Sequence, residues 1–193
     1  MYILFEGVDT SGKSTQIELL KEYDKDIITT KEPGGTEFGR KIREIILNGE
    51  YNLSFEAEMF LFLSDRAQHY NQIIKPNINK PVVSDRGFIS GIAYAKANDT
   101  NIDTDFLLEL NRFALGGQYP QKIVLFKTNK ELIEKRLSKK IDDNIESRGI
   151  EYLLKVQDIM ADLVEKLEIE NLIIDSTKSI ETIHKEIKDF IYG

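Results

Sequence analysis

Eight consecutive residues, Gly7-Val8-Asp9-Thr10-Ser11-Gly12-Lys13-Ser14, satisfy the pattern G-x-x-x-x-G-K-[ST] in full. The residue types suit a polyphosphate. Glycines allow a tight turn that aims successive backbone N–H groups at phosphate oxygens. Lys13 brings positive charge to the β and γ phosphates, and the Ser14 hydroxyl is of a type that ligates magnesium. Residues Gly7 through Thr15 are therefore the expected nucleoside triphosphate site. A second candidate is Asp85, which closes the apolar run Val83-Ser84-Asp85. A carboxylate at a strand's end can hold the same metal directly or through water.

A triphosphate loop alone leaves the acceptor open. A guanine-dependent switch needs Asn-Lys-x-Asp, and Asn129-Lys130-Glu131-Leu132 places leucine where the aspartate must accept hydrogen bonds. Asn129 is better read as a helix N-cap. A kinase acting on a phosphorylated acceptor must bring two polyanions together, so cations are required on both sides. Arginine matches phosphate with a planar fork. Arg40, Arg43, Arg66, Arg86, Arg136 and Arg148 are the candidates, and Arg86 directly follows Asp85.

The elements that must position these groups alternate along the chain. Strands are predicted at Tyr2–Glu6, Ile27–Thr30, Pro81–Asp85, Lys122–Lys127 and Leu172–Asp175. Helices are predicted near Ser14–Tyr23, Glu37–Leu47, Phe55–Asn77, Phe88–Ala97, Thr104–Leu115, Lys130–Ser138, Ile150–Glu168 and Ser179–Tyr192. This pattern predicts an α/β fold, a mostly parallel five-stranded sheet with helices on both faces, in one domain over residues 1–193. Ligands then belong beyond the carboxyl ends of the strands, where the chemical residues fall. The charged stretch 138–149 reads either as a solvated helix connection or as a lid that closes over phosphates.

Composition narrows the class. The net charge of −7 argues against a dedicated nucleic-acid binder. Cysteine is absent and only His69 and His184 are present, so thiolate chemistry and histidine-rich metal sites are not expected. No apolar run approaches the ~18 residues of a membrane span, and Tyr2-Ile3-Leu4-Phe5 begins without a basic leader. A cytoplasmic enzyme without membrane or nucleic-acid partners is the expectation.

These residues resemble the thymidylate kinase family in four blocks, in family order, over essentially the whole chain. The blocks are Phe5-Glu6-Gly7-Val8-Asp9 with the phosphate loop and Ser14-Thr15-Gln16; Lys31-Glu32-Pro33-Gly34-Gly35-Thr36; Leu61-Phe62-Leu63-Ser64-Asp65-Arg66-Ala67-Gln68-His69; and Asp85-Arg86 with Ser90 and Ala93-Tyr94. The resemblance implies transfer from magnesium ATP to thymidine monophosphate (dTMP), in the route to dTTP, by a homodimeric enzyme. It implies that Phe62 stacks on the base, Arg66 hydrogen-bonds it, and Arg86 and Arg43 meet the acceptor phosphate. Tyr94 is expected beneath the sugar, Asp9 near the 3′-hydroxyl and the metal, and Glu32 and Ser90 in the acceptor site. The implied catalytic group is Lys13, Arg86, Asp9 and a lid cation; Asn144 replaces the commonest lid arginine, which leaves Arg148, Lys139, Lys140 and Arg136 as substitutes, with Arg148 favoured. Lys31 for arginine, Gly87 for an aromatic residue and Ala95 for a polar one are further departures.

Overall fold

The computed structural model describes residues 1–49, 51–137 and 149–193. The expected lid, with Asn144 and Arg148, lies outside the described residues except for Gly149. Five strands form one all-parallel sheet in the order β2-β3-β1-β4-β5. They are β1 (Tyr2–Glu6), β2 (Ile28–Lys31), β3 (Val82–Asp85), β4 (Lys122–Lys127) and β5 (Glu170–Asp175). Every residue of β1 is buried, as expected of a strand paired on both sides and covered on both faces. Helices α1 (Lys13–Tyr23) and α8 (Ile180–Tyr192) cover one face with Ile17, Leu20, Ile183 and Ile187 packed over Ile3, Phe5 and Val124. The other face carries α4 (Phe88–Asn98) and α7 (Ile150–Lys166), with α3 (Phe55–His69) and α5 (Thr104–Ala114) beside them. Two further helices, α2 (Glu37–Leu47) and α6 (Lys130–Leu137), follow β2 and β4.

Side-chain caps set several helix starts. Thr36 accepts the Gly39 N–H, Ser54 that of Ala57, and Ser179 that of Thr182. Asn129 accepts the Leu132 N–H at 2.9 Å, the capping role its position suggested. Apart from α3, strand and helix bounds either match expectation or differ from it by one or two residues. The single predicted helix Phe55–Asn77 is different: α3 ends at His69, a π turn follows over Tyr70–Ile74, and a 3₁₀ turn over Lys75–Asn77. Pro76 lacks the N–H an α-helix would need there. The wider turn buries both Tyr70 and Ile74. The amides of Asn71 and Asn77 bond the carbonyls of Ala67 and Ile73. The apolar side chains of α4 are buried inside the fold, so that helix is sheet cover.

Candidate functional site

The phosphate loop runs from the end of β1 into α1 and depends on unusual backbone angles. Gly7 has φ +146°, and a Cβ there would come within 2.8 Å of the Phe126 carbonyl oxygen and 2.9 Å of Ser11 Oγ. Thr10 takes φ +64°, which costs a non-glycine residue about 1–2 kcal/mol. Gly12 caps α1 without a side chain, so the first-turn N–H groups keep their partial positive charge. Lys13 is 5% exposed and donates to the carbonyls of Gly7 at 2.9 Å and Val8 at 3.2 Å. Burial first, then repulsion from Arg86, pulls its pKa down to about 8 against the opposing Asp85, Asp9 and Glu6. Phosphate oxygens at this point would supply the counter-charge that Lys13 has only in part.

Asp85 ends β3 opposite the loop. Its Oδ2 is 3.5 Å from Ser14 Oγ and its Oδ1 is 3.8 Å from Lys13 Nζ. Oδ1 is buried and accepts no hydrogen bond from the described residues. A hydroxyl and a carboxylate aimed at one point fit magnesium, which takes hard oxygen ligands and relies on substrate phosphates for the remainder. Asp9, the third oxygen ligand expected, also pairs with Arg86 Nη2 at 2.6 Å.

Arg86 joins the loop to a second site. Its φ is +69°, and the strained backbone is held by its N–H on the Phe5 carbonyl at 2.9 Å and its carbonyl on Ser84 Oγ at 2.9 Å. Its Nη1 donates to Ser90 Oγ at 3.3 Å. Ser90 in turn gives both its hydroxyl and its backbone N–H to the fully buried Glu6. Burial works against the Arg86 charge, but Asp9, Tyr94, Glu6 and Asp85 outweigh it and hold the guanidinium above its usual range. Burial raises Glu6, with Ser90 and Arg86 opposing.

Beyond Arg86 opens a cleft of about 310 Å³. All eight residues expected at the acceptor, Asp9, Glu32, Arg43, Phe62, Arg66, Arg86, Ser90 and Tyr94, line it. Phe62 and Arg66 lie one turn apart on α3 and face the same space. Arg43 donates to the Pro33 carbonyl at 3.2 Å. Arg66 is 3% exposed, bonded through Nε to Glu32 at 2.8 Å and through Nη1 to Asn111 at 2.5 Å. Burial would raise the Glu32 carboxyl, but Arg66 and His69 outweigh it and hold it low. Asp65 accepts the Gly34 N–H at 3.2 Å, and burial, then Glu32, pushes its pKa up to about 6.

Two departures gain a geometric account. A Cβ at Gly87 would fall 2.8 Å from Leu4 Cδ1 and 3.6 Å from the Tyr2 hydroxyl, so a larger residue there requires Leu4 to shift. Lys31 lines a separate open groove with Ser14 and Asp85. Arg136 lies against the donor loop, donating to the Thr10 carbonyl at 2.6 Å. Sequence reasoning gave no role to Glu6 or Asn111. The available signals were an acid closing an otherwise apolar strand and an asparagine on the apolar stripe Leu107, Asn111, Ala114.

Comparison with known proteins agrees along the whole chain. A family model described as thymidylate kinase matches residues 5–187. Thymidylate kinases of Sulfurovum sp. and Campylobacter concisus are 54% and 53% identical to it. Each alignment covers 99% of this chain, and 99% and 98% of the respective relative. The crystal structure of thymidylate kinase from Ehrlichia chaffeensis is similar with a TM-score of 0.77 at 26% identity, covering 98% of this chain and 97% of that one.

Proposed function

We propose that this chain, which belongs to the thymidylate kinase family and phosphorylates dTMP, takes the phosphoryl group from magnesium ATP on the Gly7–Thr15 loop. Transfer is in line, forms no covalent enzyme intermediate, and gives the diphosphate for dTTP synthesis. The observation that carries this reading is the Asp9–Arg86 pair at 2.6 Å, which joins the triphosphate loop to the cleft lined by Phe62, Arg66 and Tyr94.

Catalysis in such a reaction is positioning plus charge stabilisation. Lys13 neutralises charge on the moving phosphoryl group. Arg86 and Arg43 orient the acceptor phosphate, whose oxygen is already ionised and needs no strong general base. Phe62 and Arg66 grip the base, Tyr94 packs under the sugar, and Asp9 sits between the two substrates. Ser14 and Asp85 are the residues to hold magnesium, which when bound neutralises phosphate charge. A lid cation, Arg148, completes the proposal from outside the described residues.

The decisive measurement is a panel of monophosphates assayed by coupled ADP release. Thymidine monophosphate is expected to exceed uridine, cytidine, adenosine and guanosine monophosphates by orders of magnitude. Equal or better turnover with any of those four would overturn the acceptor assignment.

The chain is also proposed to act in the cytoplasm, as a homodimer. The support for pairing is Phe60 on α3 with Phe106 and Phe113 on α5, which are 55%, 53% and 87% exposed. Light scattering is expected to return twice the chain mass of 22.2 kDa. Among the described residues no helix is long and apolar enough to cross a membrane.

A further inference from the structure

Behind Arg66 stand two polar groups with no part in the reading above, His69 and Thr30, which Glu32 links to the cleft. Glu32 divides its two oxygens: Oε2 accepts from Arg66 Nε at 2.8 Å, and Oε1 lies 2.8 Å from His69 Nδ1. An ionised carboxylate only accepts hydrogen bonds, so Nδ1 of His69 carries the hydrogen. His69 Nε2 lies 2.7 Å from the Thr30 hydroxyl, which fixes the ring from its other side. His69 and Glu32 are 0% and 4% exposed.

The consequence lies in the shape of the guanidinium group. Nε–H and one N–H of Nη2 point the same way along one edge, the fork that a carboxylate grips with both oxygens. Glu32 takes only half of that fork. Nη1 is engaged by Asn111, while Nη2 has no hydrogen-bond partner among the described residues. Nη2 lies 3.5 Å from where a Cβ on Gly91 would sit, and Gly91 lines the cleft. Without His69, Oε1 would be a buried, unsatisfied acceptor next to an open donor, and rotation onto Nη2 would satisfy both.

We propose that His69 is a positioning residue for acceptor recognition: by occupying Oε1 it limits Glu32 to one hydrogen bond on Arg66 and keeps Nη2 available to a carbonyl of the acceptor base. This rests on Arg66 being the base contact.

The test is steady-state kinetics on His69→Leu, His69→Asn, Thr30→Val, Arg66→Lys and the double variant His69→Leu/Arg66→Lys. His69→Leu is expected to raise the dTMP KM about 10- to 100-fold, the order expected when a charged hydrogen bond is lost. The ATP KM stays within about twofold, and kcat falls far less than the dTMP KM rises. His69→Asn, whose amide nitrogen can stand at the Nδ1 position, recovers most of the loss. Thr30→Val, a shape-conserving change, moves the dTMP KM a few-fold in the same direction and keeps the idea testable if His69→Leu folds poorly. Lysine has no second nitrogen to sequester, so adding His69→Leu to Arg66→Lys changes the dTMP KM by less than about twofold. An unchanged dTMP KM in His69→Leu and Thr30→Val, while Arg66→Lys raises it, would overturn the proposal. So would full multiplicative effects in the double variant, or a uniform loss in kcat and both KM values that His69→Asn does not restore. An unchanged dTMP KM in Arg66→Lys is a separate failure, in which the base-contact reading falls and takes the proposal with it.

Discussion

Lys13 is a cation almost withdrawn from water, held by two carbonyls and faced by a carboxylate at 3.8 Å. Replacing it with alanine is expected to cut turnover by about a hundredfold or more, as when a preorganised transition-state donor is removed; single-turnover kinetics at saturating ATP measure it. Phe62→Ala is expected to raise the dTMP KM by roughly 1–3 kcal/mol of lost stacking while leaving the ATP KM near its starting value. Equal losses on both substrates would argue against the stacking role. At this scale the sequence was readable wherever chemistry is encoded in a contiguous run, as in the loop from Gly7 to Thr15. It was silent where a polar side chain works through a partner far along the chain. Asn111 meets Arg66 across 45 positions, and Glu6 meets Ser90 across 84. Neither local spacing nor residue type identifies such pairs.

Between elements, α3 clamps the loop that follows β2. Asp65, Arg66 and His69 each hold a group in the segment from Thr30 to Gly34. The clamp leaves no room at Gly39 on α2, where a Cβ would fall 2.0 Å from Asp65 Oδ1. Gly39→Ala is therefore expected to lower stability by roughly 1–3 kcal/mol, the range for overpacking a close contact. Urea denaturation measures the loss, and Asp65→Ala in the same chain should recover part of it. Full additivity of the two substitutions would deny the contact. The alternation of apolar runs with helix-period segments located nearly every element from the sequence, because each is a local pattern, as in the run Tyr2–Glu6. The π turn after His69 was not legible. It depends on how Tyr70 and Ile74 reach the core together, a matter of packing rather than periodicity.

For the molecule as a whole, two buried groups give stability opposite dependences on pH. Asp65 titrates near 6 in the fold against 3.8 ordinarily, so between those values the folded chain holds more protons and its contribution falls as pH rises. Lys13 titrates near 8 against 10.5, so across that window the unfolded chain holds more protons and stability rises with pH. Their joint contribution in the ligand-free protein is lowest between about 6 and 8. Urea midpoints across pH are expected to lose the acid-side slope in Asp65→Asn and the alkaline-side slope in Lys13→Met. Unchanged slopes in both variants would exclude these groups as the cause. The strand order adds a consequence for hydrogen exchange. β1, with neighbours on both sides, carries the triphosphate loop, while β2 and β5 form the rims of the sheet. Amides at the rims are expected to exchange with deuterium through local fraying, and those of β1 only when the whole sheet opens. The anchor of the donor site thereby stays in register while the borders of the protein breathe.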